Sequence, residues 1–205
     1  MLPIGFAIEA DGVLLQHGRD FAALGEPQIV EVREGVTRTS RLYRHDASGI
    51  QIRQFIENYA GLELAATFVE VINTSTRDIT ITRVDSISAP LARDRYTLQY
   101  FRSDWGKEFS PVEVPLEGTR ILEVTAGRST KGMMPWFHLR GDSGRAISGA
   151  VAWSGNWIIR LEPEAPSEYR LSAGLSNWEF AKTLRPGESM LSPQFVFVTL
   201  EKGDH

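Results

Sequence analysis

Alternation of polar and apolar residues with a period of two is the feature of this sequence that most limits its fold. Residues 78–87 read Asp-Ile-Thr-Ile-Thr-Arg-Val-Asp-Ser-Ile, and Gly49–Tyr59 alternates in a similar way. Successive side chains of a β-strand point to opposite faces of the sheet, so this pattern is typical of a strand with one buried face. Leu64–Ile72, which is rich in β-branched and aromatic residues, predicts a further strand.

The same pattern recurs to the end of the chain, with turn-forming residues at intervals of about ten residues. Besides the segments above, the predicted strands are Phe6–Ala10, Val13–Gln16, Ile29–Val32, Thr37–Tyr43, Tyr96–Phe101, Arg120–Val124, Trp136–Arg140, Ala146–Trp153, Trp157–Glu162, Tyr169–Ala173 and Gln194–Leu200. No long segment has the 3.6-residue period of a helix, and Asp20–Leu24 and Asn177–Lys182 could form single helical turns at most. We therefore predict an all-β fold, a large two-sheet antiparallel β-sandwich (supersandwich) of roughly fifteen strands.

Three turn sequences predict how neighbouring strands are joined. Asp11-Gly12 is a strong signal for a two-residue hairpin between the first two strands. The polar segment Asn73–Arg77 can bond its own backbone, and it predicts an antiparallel hairpin between the strands on either side. Ser154-Gly155-Asn156 predicts a tight turn with positive φ at Gly155 or Asn156, so that Trp153 and Trp157 would flank one hairpin.

Composition limits the class of protein and its partners. With 42% hydrophobic and 23% charged residues among 205, the chain is neither disordered nor fibrous, and without a low-complexity linker we expect a single domain over residues 1–205. The net charge of −4 argues against nucleic acid and anionic membrane as partners. No apolar run approaches the roughly 20 residues of a membrane span, and the start does not resemble a signal peptide. We expect a cytoplasmic protein, or an extracellular one if the chain is a fragment.

The sequence lacks the usual signatures of a catalytic or cofactor site. There is no cysteine, which excludes disulfides, zinc–thiolate sites and cysteine nucleophiles. The four histidines lie far apart, no Gly-x-Ser-x-Gly motif or glycine-rich phosphate loop is present, and nothing pairs two carboxylates. We therefore expect no metal, no cofactor and no catalytic residues in this chain.

Tryptophans with polar neighbours are the candidate functional residues. All five follow residue 100, and an indole face can stack on the apolar face of a sugar ring while polar neighbours bond its hydroxyls. The candidates for carbohydrate contact or for an interface are Arg102, Asp104, Trp105, Arg128, Trp136, Trp153, Asn156, Trp157 and Trp178. The alternative for each tryptophan is packing in the core or between domains. Arg128 follows a flexible glycine, which suits it to an ion pair with Asp104 or Glu108, or to tying two loops together.

An ordered series of short blocks fills the second half of the chain. The blocks are Phe101–Phe109, Gly127–Thr130, Met134–Leu139, Gly149–Trp157, Ala173–Phe180, Leu184–Ser189 and Ser192-Pro193. In order and spacing this stretch, Tyr100 to Leu200, resembles the amino-terminal domain of glycoside hydrolase family 36, the α-galactosidases or melibiases. The first half resembles that family only through its Asn73-Thr74-Ser75 turn.

The resemblance implies a fold and a function. In that family this region is a large β-sandwich that precedes a (β/α)₈ barrel, and the barrel carries two catalytic aspartates. It therefore implies a non-catalytic domain that supports assembly and the active-site mouth of a barrel not present in this chain. The implied partners are that barrel, as a domain or a subunit, galactosides, and further copies of the chain in a homo-oligomer.

Two other functions remain open. A stand-alone carbohydrate-binding module would carry one or two exposed tryptophans on a concave sheet face. A complete enzyme with an all-β active site would place two carboxylates within about 5–10 Å of each other in a pocket.

Overall fold

In a computed structural model, which describes residues 2–166 and 168–200, the chain is built entirely from strands and turns. The described part contains 17 strands and no helix. They are β1 (Gly5–Ala10), β2 (Val13–Gln16), β3 (Ala22–Arg33), β4 (Val36–His45), β5 (Ile50–Tyr59), β6 (Leu64–Asn73), β7 (Ile79–Pro90), β8 (Tyr96–Asp104), β9 (Lys107–Pro115), β10 (Arg120–Val124), β11 (Gly132–Gly141), β12 (Ala146–Ala152), β13 (Trp157–Ala165), β14 (Glu168–Leu175), β15 (Lys182–Leu184), β16 (Ser189–Leu191) and β17 (Gln194–Leu200). The predicted all-β class is confirmed, and within these residues no helix could cross a membrane.

The strands form two antiparallel sheets. The ten-stranded sheet has the order β3-β4-β5-β6-β17-β12-β11-β8-β9, with β16 paired to β6. The seven-stranded sheet has the order β10-β13-β14-β7-β1-β2, with β15 paired to β7. Strands distant in sequence are neighbours in both sheets, so the fold depends on long-range pairing. The predicted two-sheet sandwich is confirmed.

The core lies between the inner faces of the sheets and has two parts. The larger cluster packs around buried aromatic side chains, Phe137, Trp157 and Phe195. The smaller cluster is centred on Phe6 of β1 and on isoleucines such as Ile52 and Ile81. These side chains occupy alternate positions of their strands, as the period of two requires. Burial of apolar surface on this scale is the main stabilising contribution in such a sandwich.

The predicted turns had different outcomes. Asp11 and Gly12 both have positive φ, 49° and 77°, and join β1 to β2 in the expected two-residue hairpin. Asn73–Arg77 does bond itself, because the Asn73 side-chain oxygen accepts hydrogen bonds from Ser75 N and Oγ. The predicted hairpin is nevertheless wrong, since β6 belongs to the ten-stranded sheet and β7 to the seven-stranded sheet.

The segment between Trp153 and Trp157 also crosses from one sheet to the other. β12 pairs with β11 and β17, whereas β13 pairs with β10 and β14. The two tryptophans therefore do not flank one hairpin, and neither Gly155 nor Asn156 has positive φ. A local turn signal cannot distinguish a hairpin from a crossing, because both reverse the chain over a few residues.

Three strands escaped prediction, and several others were predicted too short, β3 most of all. β9 lies at an edge and contains Pro111 and Pro115, which an edge strand tolerates because it needs fewer backbone N–H groups. β15 and β16 have only three residues each. The mainly exposed edge strand β3 begins at Ala22 instead of Ile29. The possible helical turns at 20–24 and 177–182 are absent, and these segments contain the starts of β3 and β15.

Candidate functional site

The predicted contact residues are distributed over separate places on the sandwich. Arg102, Asp104 and Trp105 lie at the tip of the β8–β9 hairpin, where Asp104 pairs with Lys107. Gly106, with φ of 72°, completes this two-residue turn. Trp105 is 99% exposed, so its indole contacts almost nothing else among the described residues. An apolar ring held out on a hairpin tip is available to an external partner.

Aromatic contacts extend from this hairpin across the ten-stranded sheet. Phe101 lies 6.0 Å from the Phe109 ring and 5.2 Å from the Trp136 ring, measured between centroids. Trp136 in turn stacks at 6.5 Å on His138. Trp136 is therefore a partly buried member of a surface aromatic row, whereas Phe109, which sequence reasoning did not select, is exposed.

Trp157 and Arg128 lie in opposite environments. Trp157 is fully buried in the core, and its indole N–H donates a 2.6 Å hydrogen bond to the Ser129 carbonyl. This placement favours core packing over sugar contact for Trp157. Arg128 is exposed, and within the described part of the chain it forms no ion pair with Asp104 or Glu108.

Trp153, Asn156 and Trp178 do come together, at an open groove of about 430 Å³. We call it the Trp groove. It is bounded by the 153–156 crossing and the loop after β14, and it is lined by Trp153, Asn156, Leu175, Ser176, Trp178, Glu179, Phe180, Ala181, Lys182, Met190 and Leu191. Trp153 is 44% exposed and Trp178 is 58% exposed. Both indoles therefore keep a large apolar surface open to solvent in spite of the surrounding loops.

Hydrogen bonds fix the loop that carries Trp178. The Trp178 backbone N–H donates to Ser176 Oγ at 3.1 Å, and this hydroxyl donates to Glu123 Oε1 at 2.6 Å. The Ser176 N–H bonds the Asn156 carbonyl at 3.3 Å, which joins the two walls of the groove. Glu179 adopts φ of 51°, a strained value for a residue with a side chain.

A buried ionic network also holds the loop that carries Trp178. Arg160 donates to Asn177 Oδ1 at 2.7 Å, and it forms a 3.0 Å ion pair with Asp85, which is fully buried. Arg83 contacts the other oxygen of Asp85 at 2.7 Å. Burial alone would lower the pKa of Arg83, but attraction to Asp85 and hydrogen bonding to it outweigh burial and raise it. Arg83 is therefore held as a cation beside Asp85.

The position of Trp153 depends on a glycine. A Cβ atom added to Gly155 would lie 2.9 Å from Trp153 Nε1, so the indole fits against its own turn only because residue 155 has no side chain. The next residue of this crossing, Asn156, accepts a 2.7 Å hydrogen bond at Oδ1 from the Gly127 N–H.

A second cavity, of about 480 Å³, lies at one end of the sandwich and is mostly apolar. Leu2, Leu91, Tyr96, Ile147 and Leu200 contribute to its lining. Burial, followed by the nearby negative charge of Asp94, raises the pKa of Tyr96 to about 12. Its hydroxyl therefore stays protonated and donates to the Ala92 carbonyl.

Sequence reasoning missed the apolar members of the Trp groove. Phe180, Met190 and Leu191 come from the loop before β15 and from β16, and they meet the 153–156 crossing only through long-range pairing. One sequence feature does indicate a surface site here, because the polar residues Ser176 and Asn177 precede Trp178 immediately after a buried strand. In the described part of the chain, no cluster of three or more His, Asp or Glu residues could hold a metal ion.

Comparison with known proteins identifies the family. The profile of the glycosyl hydrolase family 36 N-terminal domain matches residues 20–185. The chain belongs to this family. The match begins well before Tyr100, so the family pattern extends through most of the first half as well.

The curated relatives are α-galactosidases. Probable α-galactosidase C of Aspergillus terreus is 27% identical over 136 residues, which cover 63% of this chain and 18% of the fungal protein. Probable α-galactosidase G of Emericella nidulans is 27% identical over 177 residues, covering 78% of this chain and 24% of that protein. The family 36 chain thus spans less than a quarter of either relative.

Solved structures of α-galactosidases share the fold. The α-galactosidase AgaA of Geobacillus stearothermophilus matches with a TM-score of 0.85 at 19% identity, over 97% of this chain and 30% of that one. The α-galactosidase of Lactobacillus brevis matches with a TM-score of 0.81 at 16% identity, over 97% of this chain and 29% of that one. Nearly the whole sandwich thus has a counterpart in less than a third of each enzyme.

Proposed function

We propose that this chain is a non-catalytic sandwich domain of an α-galactosidase-like glycoside hydrolase. It would support the assembly and the active-site mouth of a catalytic (β/α)₈ barrel, present as a domain or as a subunit. The observation that carries this proposal is the coverage: 97% of the chain matches AgaA, but only 30% of AgaA is matched. The remainder of such an enzyme is large enough to hold a barrel, which typically needs about 250 residues.

The lining of the cavities supports a non-catalytic role. Glycoside hydrolysis by the common route needs two carboxylic groups on opposite sides of the scissile bond. The end cavity has no Asp or Glu among its described lining residues, and the Trp groove has only Glu179. Neither of these two cavities therefore offers the pair that the reaction requires.

Exposed apolar side chains support a role in assembly. Trp105 and Phe109 project from the β8–β9 hairpin, and Ile29, Val30 and Val32 are exposed on the edge strand β3. Contiguous exposed apolar surface on a globular protein usually marks a contact with another protein. We propose the β8–β9 tip and the β3 edge as the contacts with the barrel or with another copy of the chain.

Hydrolysis of a nitrophenyl α-galactoside by the purified 205-residue chain tests the proposal, with a family 36 α-galactosidase as the positive control. We expect no release of nitrophenol above the buffer rate. Robust turnover that Glu179→Gln abolishes would contradict the proposal, because the chain would then contain its own active site. Glu34→Gln, on the exposed turn between β3 and β4, is the matched control for an effect of charge removal alone.

A further inference from the structure

We propose that the Trp groove binds an uncharged saccharide. This inference goes beyond the proposed function, because a domain that only supports a barrel needs no ligand of its own. The observation that supports it is that Trp153 and Trp178, which are 44% and 58% exposed, line one groove together with hydrogen-bonding groups.

The indoles provide the apolar half of such a site. A large aromatic surface left in water is unfavourable, and it becomes favourable when it covers the C–H face of a pyranose ring. Trp105 is more exposed than either, but it stands alone on a hairpin tip and lines neither cavity. The groove therefore differs from the hairpin in having a concave surface that a ring can enter.

The polar groups of the groove favour a neutral ligand. Among the described residues that line the groove, Glu179 and Lys182 are the charged ones, and their formal charges cancel. Glu179 would repel an anionic ligand, and Lys182 would repel a cationic one. A hydroxyl group can instead donate to Glu179 and accept from Lys182. Asn156 adds the donor NH₂ group of its side chain, whereas its Oδ1 already accepts from the Gly127 N–H.

The size and rigidity of the groove suit a small ligand. Its volume of about 430 Å³ lies within the range of small-molecule sites, which is about 300–1,000 Å³. Hydrogen bonds hold both walls, one through Ser176 and the Arg160–Asn177 contact, and the other through the bonds of Asn156 to the Gly127 N–H and the Ser176 N–H. Binding would therefore lose little conformational entropy from these loops.

The indole N–H resonances of the 205-residue chain test the site by NMR. On titration with methyl α-galactoside and with methyl α-glucoside, each to roughly 100 mM, we expect the Trp153 and Trp178 signals to shift saturably with at least one of them. The Trp105 and Trp157 signals should stay in place, since one is remote from the groove and the other is buried. Absence of any shift, or equal shifts at Trp105, would overturn the proposal.

Three variants test whether the named residues form the site. Trp178→Ala should weaken binding about fivefold or more, since an aromatic contact of this kind contributes about 1 kcal/mol and 1.4 kcal/mol is about tenfold in affinity. Trp105→Ala, the matched control, should bind like the wild type. Gly155→Ala should weaken binding by displacing Trp153, with a shifted Trp153 resonance in the free protein. If Trp178→Ala folds with native NMR dispersion and binds as tightly as the wild type, the proposal is wrong.

Discussion

Trp157 and Trp105 carry the same side chain in opposite environments. Trp157 is fully buried and bonds the Ser129 carbonyl, whereas Trp105 is almost fully exposed. We expect Trp157→Ala to lower the free energy of unfolding by about 3–5 kcal/mol, since it removes core contacts and leaves a cavity. Trp105→Ala should change it by no more than about 0.5 kcal/mol. Urea denaturation followed by circular dichroism measures both, and similar losses in the two variants would contradict the assigned environments.

Residue identity alone could not sort these tryptophans. Trp153 and Trp157 are four positions apart, with similar neighbours, yet one lines an open groove and the other is in the core. The difference arises because the chain crosses between sheets at this point. The sequence could therefore predict that tryptophans matter in this half of the chain, and it could select three groove residues, Trp153, Asn156 and Trp178. It could not predict which of the candidates share a surface.

At the scale of strands, local alternation predicted most of the fold. Residues 78–87 and 49–59 were recognised because the period of two is a local property of a half-buried strand. The assignment of strands to sheets was not local, and the predicted β6–β7 pairing failed for that reason. β9 was missed because, at the edge, its prolines and exposed residues give little alternation.

Asp85 joins β7 and β13, and through Arg160 it supports the loop after β14. Asp85→Ala would leave Arg83 and Arg160 without their carboxylate in a buried setting, and we expect a loss of about 3–5 kcal/mol in the free energy of unfolding. Urea denaturation measures this loss.

The matched control for the Asp85 prediction is the exposed Arg95–Asp142 ion pair, also at 2.7 Å. Asp142→Ala should lower the free energy of unfolding by at most about 1 kcal/mol, because water and salt screen exposed charges. Equal costs for Asp85→Ala and Asp142→Ala would show that the buried network contributes no more than a surface contact.

For the whole molecule, the family pattern is visible in the sequence after Tyr100, but the family match reaches back to residue 20. The first half carries this pattern less visibly, since β3 is an exposed edge strand with few buried positions to constrain its sequence. Conversely, most of a family 36 enzyme lies outside the matched region, so its catalysis could be inferred only from resemblance.

The stability of the whole sandwich should depend on pH through His17. This side chain packs between the rings of Phe6 and Tyr43, at 5.1 and 4.9 Å, and burial, followed by the charge of Arg41, lowers its pKa below 6.5. As the pH falls through about 6.5, the unfolded chain binds a proton at His17 before the native state does. The free energy of unfolding should therefore decrease on acidification, until the pH passes the lowered native pKa.

Melting temperatures measured between pH 7.5 and pH 5 test this dependence, with His17→Phe as the comparison because it keeps a ring between Phe6 and Tyr43. We expect the melting temperature to fall less in the variant than in the wild type as the pH is lowered over this range. Asp11, whose pKa is lowered by the backbone N–H of Thr80 and by Arg77, stabilises the native state above its usual pKa of 3.8 and loses this effect only at lower pH. Asp11 therefore contributes little to the change in melting temperature between pH 7.5 and pH 5. Parallel curves of melting temperature against pH for the wild type and His17→Phe would mean that His17 titrates alike in the native and unfolded states.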